Sequence, residues 1–185
     1  ARYHRLRGRE TFFLTGLDEH GLKIERTAKA QGKPVQAYVD AMAEPFRRTW
    51  QMLDVAYDDF IRTTEPRHEK LAQELWKIVA AKGDIELGHF EGPYCVDCEQ
   101  YYTEKELVEG KLCPVHGRPA ETLREPSYFF KLSRYGDKLL AHYEAHPDFV
   151  APPSRLNEVK SFVQMGLRDL SVSRTSFRWG VPVPG

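Results

Sequence analysis

Three cysteines and one histidine fall as Cys95-x2-Cys98, then fourteen residues, then Cys113-x2-His116. Two close pairs of sulfur and nitrogen donors at this spacing can surround one tetrahedral zinc ion. All three cysteines of the chain are used, and Pro114 and Gly117 supply the tight backbone that lets the second pair curl around a metal. One disulfide with a leftover thiol explains neither the paired spacing nor the histidine at the fourth corner. Four protein ligands leave no open coordination position, so the pattern predicts a structural site that holds a loop together.

A second group with chemical potential is Asp18-Glu19-His20, in the turn after an apolar run, and a third is Arg174. An aspartate can pair with an ammonium group, and an arginine fork can hold a phosphate or carboxylate. The same residues can equally cap helices or form ordinary salt bridges, and residue chemistry alone does not choose. A histidine capping a turn is commoner than a catalytic base, which weakens His20. His4, His68, His89, His142 and His146 have no partner spacing. Asp58 and Asp59 are adjacent on an extended segment and point to opposite faces, which favours turn or capping duty over a catalytic pair. There is no G-x-x-x-x-G-K-[ST] loop, no G-x-G-x-x-G fingerprint and no serine in a nucleophile-elbow context.

The elements that must position these groups follow from the apolar pattern. Thr11–Thr15 lacks strict alternation, which predicts a strand buried on both faces of a parallel sheet. It runs into the Asp18-Glu19-His20 turn and a helix over 22–31 closed by Gly32, half of a βαβ unit. Ligands of such sheets gather beyond the carboxyl ends of the strands, where Asp18, Glu19 and His20 fall. Pro34 opens a second helix with Val35, Tyr38, Val39, Met42, Phe46, Trp50 and Leu53 on its apolar face, and Pro45 predicts a kink or restart. A short strand over 56–61 and a helix from Pro66 to Gly83 follow, the helix with Leu71, Leu75, Ile78 and Val79 on its buried face. From Ile85 the texture changes to short glycine-punctuated segments around the metal motif. A strand at 127–132, a helix at 134–144, a break at Ala151-Pro152-Pro153, a helix at 155–165 and a strand at 170–174 complete the pattern.

Apolar residues make up 41% of the 185 residues and aromatics 12%, enough for a core and too rich for a disordered chain. Lys+Arg and Asp+Glu both number 27, so no broad nucleic-acid footprint is expected. No run of eighteen apolar residues and no basic-then-apolar opening segment occurs, so neither a membrane span nor a signal peptide is expected. Metal-spaced cysteines suit a reducing compartment, and a cytoplasmic protein is expected. Ala1–Gly8 reads as the last turns of a helix and Trp179–Gly185 as a segment without a closing element, so the expectation is a piece of a longer protein.

Five stretches, in order, carry a resemblance: Phe13–Gly21, Tyr57–Thr64, Tyr94–Glu99, Tyr128–Leu132, and Leu170–Arg174 leading to Trp179–Pro184. Together they resemble the middle of the methionyl-tRNA synthetases, a family of class I aminoacyl-tRNA synthetases. The resemblance implies an α/β fold in which an incomplete Rossmann-like parallel sheet is interrupted by a connective-peptide insertion bearing a zinc knuckle. Residues 1–83 would be the first part of the catalytic domain, 84–166 the insertion with its knuckle at about 93–120, and 167–185 the return to the catalytic domain. It further implies a methionine–tRNA ligase, which joins methionine to ATP as methionyl-adenylate, releases pyrophosphate, and passes the methionyl group to tRNA(Met). By position Asp18 would pair with the α-ammonium of methionine, with His20 beside it as a second substrate-binding residue. Arg174 would lie near the ATP and adenylate site, and Cys95, Cys98, Cys113 and His116 would hold structural Zn2+. ATP would enter with Mg2+, and the remainder of the same synthetase chain would be a partner.

Two positions depart from the family pattern. His116 stands where many relatives have cysteine, which keeps zinc binding with one thiolate fewer. Leu17 stands where threonine is common, which alters local polar contacts but not the role of Asp18. The His-Ile-Gly-His signature, the Lys-Met-Ser-Lys-Ser loop and the anticodon-binding domain are not among these residues. The first two stabilise charge developing on the ATP phosphates, so the expectation is that these residues alone are inactive. The competing readings are a non-catalytic zinc-binding module docking on tRNA or protein, and another class I synthetase. The editing enzymes of that class carry a far larger insertion, and the cysteine-specific enzyme needs an open metal position.

Overall fold

The computed structural model describes residues 1–175 and 177–184. A short helix, α1 (Arg2–Leu6), is followed by Gly8 at a φ of +67°, the left-handed conformation expected just past a helix end. The first apolar run forms β1 (Leu14–Leu17), paired in parallel with β2 (Asp59–Arg62), with Leu14 opposite Asp59 and Leu17 opposite Arg62. The strand begins later than the Thr11–Thr15 expected, and it is not buried on both faces, since Phe12 and Leu14 are exposed. Asp58 ties the residues ahead of it: its Oδ2 accepts from the Phe13 amide and from Arg5, each at 2.6 Å. Asp59 is gripped instead by the Arg67 fork at 2.6 and 3.0 Å, so the two neighbours serve as separate structural ties, with no shared chemistry.

Between the two strands run α2 (Leu22–Ala30) and α3 (Val35–Met52), completing the βαβ crossover. Pro34 sits just before α3, as expected, but Pro45 does not restart it. The helix continues through Pro45 despite a cost on the order of 3 kcal/mol for the lost hydrogen bond and ring clash, and its two buried residues both precede the proline. The buried face is narrow. Val39 and Ala43 are buried, whereas Met42, Phe46 and Leu53 of the expected apolar face are exposed. Ala28 and Ala43 are almost completely enclosed, and side chains this small let α2 and α3 lie close.

α4 (Pro66–Ala81) has the expected periodicity, but Leu71, Leu75 and Ile78 are exposed and none of its residues is buried. Periodicity identifies the apolar face of a helix, and it does not supply the element that covers it. After α4 come β3 (Ile85–Cys95), β4 (Gln100–Tyr101), β5 (Glu121–Phe130), α5 (Gly136–Ala145), α6 (Pro153–Gln164) and β6 (Leu170–Ser171).

The chain divides into two compact units, one of residues 1–76, 92–123 and 176–185, the other of 77–91 and 124–175. In the first, the parallel β1–β2 pair and its helices are accompanied by an antiparallel pairing of β4 with the end of β3, Tyr94 opposite Tyr101. In the second, β6 pairs antiparallel with β5, Phe129 opposite Ser171. Its core is the face of α5 and α6 formed by Tyr143, Leu156 and Val163, flanked by Leu139, Leu140, Val150, Val159 and Leu167. The fold is thus a mixed α/β arrangement with a small parallel sheet. Among the described residues no helix is long and apolar enough to cross a membrane.

In the second unit Lys131 (2.6 Å) and Ser133 hold the Asp169 carboxyl down at about 2. A lowered folded-state value stabilises the fold above the ordinary carboxylate range and is lost as pH falls toward 2. Asp169→Asn is therefore expected to narrow the gap in melting temperature between pH 7 and pH 3, measured by thermal unfolding. In the first unit a Cβ at Gly16 would lie 1.9 Å from the Ile61 carbonyl of the paired strand, so Gly16→Ala is expected to cost about 2–4 kcal/mol. Gly136 opens α5 with nothing near its missing Cβ, and Gly136→Ala is expected to be neutral or stabilising by up to about 1 kcal/mol, with urea titration measuring both variants.

Candidate functional site

The four metal-type ligands are brought together by two turns. Cys95 ends β3, and the chain reverses over 96–99 with Glu99 at a φ of +52° before β4 begins. Tyr94 is almost fully enclosed and packs at a tilt against Tyr101 across the pairing, ring centroids 4.8 Å apart, which fixes the first turn. In the second turn the Cys113 amide donates to the Arg118 carbonyl and the Gly117 amide to the Cys113 carbonyl, both at 2.8 Å, with Gly117 at a φ of +63°. Between them Thr103 and Glu106 form a reciprocal capping box on a short 3-10 turn, Glu104–Glu106.

The ligand atoms of Cys95, Cys98, Cys113 and His116 all lie within 4.8 Å of one another. The Cys98 and Cys113 sulfurs are 3.5 Å apart, and His116 Nδ1 lies 3.9, 3.1 and 3.8 Å from the sulfurs of Cys95, Cys98 and Cys113. A tetrahedral ion with metal–sulfur bonds of about 2.3 Å sets its sulfurs about 3.8 Å apart, so the cluster fits such an ion. All three cysteines are free thiols, and their separation is far from a disulfide bond of about 2.05 Å. Burial pushes the Cys113 thiol up, but the His116 and Val115 amides and the His116 ring pull it down to about 6. The Tyr102 hydroxyl, donating to Cys98 Sγ at 3.3 Å, draws that thiol down, while burial and the neighbouring sulfurs raise it to about 11. The geometry can hold a metal.

The strand-end turn is organised around Glu19. Asp18 is exposed, Glu19 is buried with only 3% of its surface accessible, and His20 is half-buried. Every polar group of Glu19 is engaged. Its carboxylate accepts from Arg62 Nε at 2.7 Å and Thr64 Oγ1 at 2.5 Å, its amide donates to Thr63 Oγ1 at 2.9 Å, and its carbonyl accepts from Trp179 Nε1 at 2.5 Å. Arg62 also donates to Asp40 at 2.6 Å, which lowers the Asp40 carboxyl. Trp179 packs edge-on against His20 at 5.6 Å, and its backbone is tied to Glu25 and Gly21. Burial lowers His20 below the ordinary histidine range, against the opposing charges of Glu69 and Asp18, so the ring is neutral at pH 7. Glu19 stood in the sequence motif, but its inward role depends on partners 43–45 and 160 residues away, which no local pattern reveals.

Arg174 lies in the second unit. Its Nη1 donates to Ser171 Oγ at 2.7 Å and to the carbonyls of Ser173 at 2.7 Å and Ser171 at 3.3 Å. Ser171 and Ser173 in turn meet Ser127, 1% exposed, whose Oγ lies 2.6 Å from Ser171 Oγ and donates to the Ser173 carbonyl at 2.9 Å. Nothing in the sequence singled out Ser127. For the metal cluster, Cys113→Ala removes a fully buried ligand and is expected to abolish tight metal binding. His116→Ala removes the exposed ligand, leaves three sulfurs, and is expected to weaken binding less. Competition with a chromogenic chelator measures both.

A family model described as tRNA synthetases class I (M) matches residues 1–122 and 105–185. The methionine–tRNA ligase of Streptomyces coelicolor is 53% identical over 192 residues, covering 100% of this chain and 36% of that protein. That of Fusobacterium nucleatum is 51% identical, covering 98% of this chain and 29% of the relative. A solved structure of Mycobacterium tuberculosis methionyl-tRNA synthetase in complex with methionyl-adenylate matches with a TM-score of 0.91 at 49% identity, over 100% of this chain and 37% of that one. The free-state form of the M. tuberculosis enzyme matches with a TM-score of 0.71 at 38% identity, over 94% of this chain. The chain spans about a third of the length of the relatives it matches. With its whole length matched, the chain belongs to the class I (M) family of tRNA synthetases.

Proposed function

We propose that this chain is the part of a methionine–tRNA ligase that binds methionine and carries its zinc knuckle. The whole protein activates methionine with ATP: a methionine carboxylate oxygen bonds to the α-phosphorus, and pyrophosphate leaves. The methionyl group then passes to the terminal adenosine of tRNA(Met), and AMP leaves. The observation that carries this reading is Asp18, an exposed carboxylate just beyond the carboxyl end of a parallel strand, where ligands of such sheets bind. Its charge suits the α-ammonium of methionine, and the neutral His20 ring against Trp179 suits the uncharged part of the substrate. The names of the relatives and the methionyl-adenylate bound by the M. tuberculosis enzyme support the same substrate class.

Arg174 is assigned to the ATP and adenylate side, where its guanidinium would face phosphate oxygens, with Mg2+ accompanying ATP. One terminal nitrogen, Nη1, is held by the Ser171 and Ser173 carbonyls and by Ser171 Oγ, which fixes the orientation of the group. Cys95, Cys98, Cys113 and His116 are assigned to Zn2+ in a structural role, since four ligands close a tetrahedral shell. When bound, the metal would cross-link the two turns. Residues 1–83 and 167–185 are assigned to the Rossmann-like catalytic domain and 84–166 to the connective-peptide insertion. The protein is assigned to the cytoplasm, with the remainder of the synthetase chain as its partner.

An ammonium–carboxylate contact of about 1.5–3 kcal/mol corresponds to about 10–150-fold in binding. In the full-length protein, Asp18→Asn is expected to raise the KM for methionine in ATP–pyrophosphate exchange by that factor, with the KM for ATP changed less than about twofold. An unchanged methionine KM removes Asp18 from this role. Elemental analysis with X-ray absorption is expected to find one zinc bound by three sulfurs and one nitrogen, and a two-sulfur or oxygen-rich shell removes the metal assignment.

A further inference from the structure

We propose that Glu19 is a positioning residue for substrate binding: its buried carboxylate, held by Arg62 and Thr64, sets the direction in which Asp18 and His20 face. This rests on the reading that Asp18 meets the ammonium group of methionine. Asp18, Glu19 and His20 follow directly on β1, and their order is exposed, buried and half-buried. With the middle side chain held inward at both carboxylate oxygens, the backbone that carries its two neighbours is held with it.

The grip on Glu19 is far stronger than a turn needs. Its two carboxylate oxygens have different partners, Arg62 Nε at 2.7 Å and Thr64 Oγ1 at 2.5 Å, so the group can neither rotate nor slide without losing one of them. Arg62 is itself half of a second ion pair, its Nη2 donating to Asp40 on α3 at 2.6 Å. The main chain on either side of the carboxylate is pinned as well, through Thr63 Oγ1 below and Trp179 Nε1 above. Three of these partners, Arg62, Thr63 and Thr64, lie at the carboxyl end of β2, directly beside the end of β1. The clamp thus transfers the parallel register of the two strands to the turn that follows the first. The Arg62–Glu19 pair is shielded, with side chains 15% and 4% exposed, so solvent screens it little.

Glu19 makes no contact that requires substrate, and its effect is on where Asp18 and the His20–Trp179 pair stand. A misplacement of about 1 Å in a binding group costs up to about 100-fold. The test uses the full-length protein and ATP–pyrophosphate exchange, with Glu19→Gln, Asp18→Asn and the double variant. Glu19→Gln keeps the side-chain size and removes the charge held by Arg62. It is expected to raise the KM for methionine about 10-fold to 100-fold while the KM for ATP changes less than about twofold. In the Asp18→Asn background the same change is expected to add less than about threefold, because the charged contact that Glu19 positions is already gone and only the smaller contribution of the His20–Trp179 pair remains. Full multiplication of the two effects, or equal loss for methionine and ATP, overturns the proposal. A normal methionine KM in Glu19→Gln, with Asp18→Asn impaired, also overturns it. If Asp18→Asn itself leaves the methionine KM unchanged, the reading of Asp18 fails first and the two failures are told apart. Should Glu19→Gln not fold, Thr64→Val releases one carboxylate oxygen and keeps the ion pair. It is expected to raise the methionine KM several-fold, and an unchanged value overturns the proposal.

Discussion

The ion pair between Glu19 and Arg62 is the contact on which the first unit depends. Taking two charges out of water is costly, and the cost is offset only when both partners are further hydrogen-bonded. Here Thr64 completes the carboxylate and Asp40 completes the guanidinium. Such a pair is a weak source of net stability and a strong source of specificity, because any other arrangement leaves a buried charge alone. It sits where β1, β2 and α3 converge, and through the Glu19 carbonyl it also holds Trp179 from the far end of the chain. Four separate stretches of sequence are therefore fixed at one point.

The metal cluster solves a different problem. Residues 92–123 bury few large side chains, chiefly Tyr94, Leu107 and the ligands Cys95 and Cys113. A segment with so small an apolar core gains little from the hydrophobic effect, and a metal held by this cluster would supply the missing cross-link. That is consistent with the ligand set, in which two sulfurs are enclosed while His116 stays exposed. His116 would complete the shell from the exposed side, and the Cys95 and Cys113 sulfurs are part of the core.

What the sequence revealed follows from the range of the interactions. The four ligands were legible because each pair lies on one turn and needs only Pro114, Gly117 and a reversal after Cys95. The β1–α2–α3–β2 crossover was legible because its caps, Gly21, Gly32 and Pro34, act within a few residues. Less visible was anything set by distant partners. The α4 stripe of Leu71, Leu75 and Ile78 is apolar as its period demands, yet exposed. Pro45 is carried inside α3, where the local signal predicted a kink or restart. The motif Asp18-Glu19-His20 could be placed at a strand end from the sequence, as it is found, but not which carboxylate faces solvent, since that choice belongs to Arg62, Thr64 and Trp179.

The two motifs read separately from the sequence constrain each other in the first unit. Gly21, next to His20, has a φ of +113°, and a Cβ there would meet Glu99 Oε1, beside the ligand Cys98, at 1.8 Å. Lys23 on the first turn of α2 reaches Asp97 at 3.4 Å, and Arg26 one turn later holds Glu121 at 2.7 and 3.0 Å. These surface pairs are screened by solvent, so they orient more than they stabilise. The backbone demand at Gly21 is the stronger term, because its φ of +113° strains any residue with a side chain, whereas the Glu99 carboxylate ends a flexible chain that can swing aside. The turn bearing Asp18 and the turn bearing Cys98 thus meet at a residue with no side chain, and the charge pairs of α2 hold them side by side.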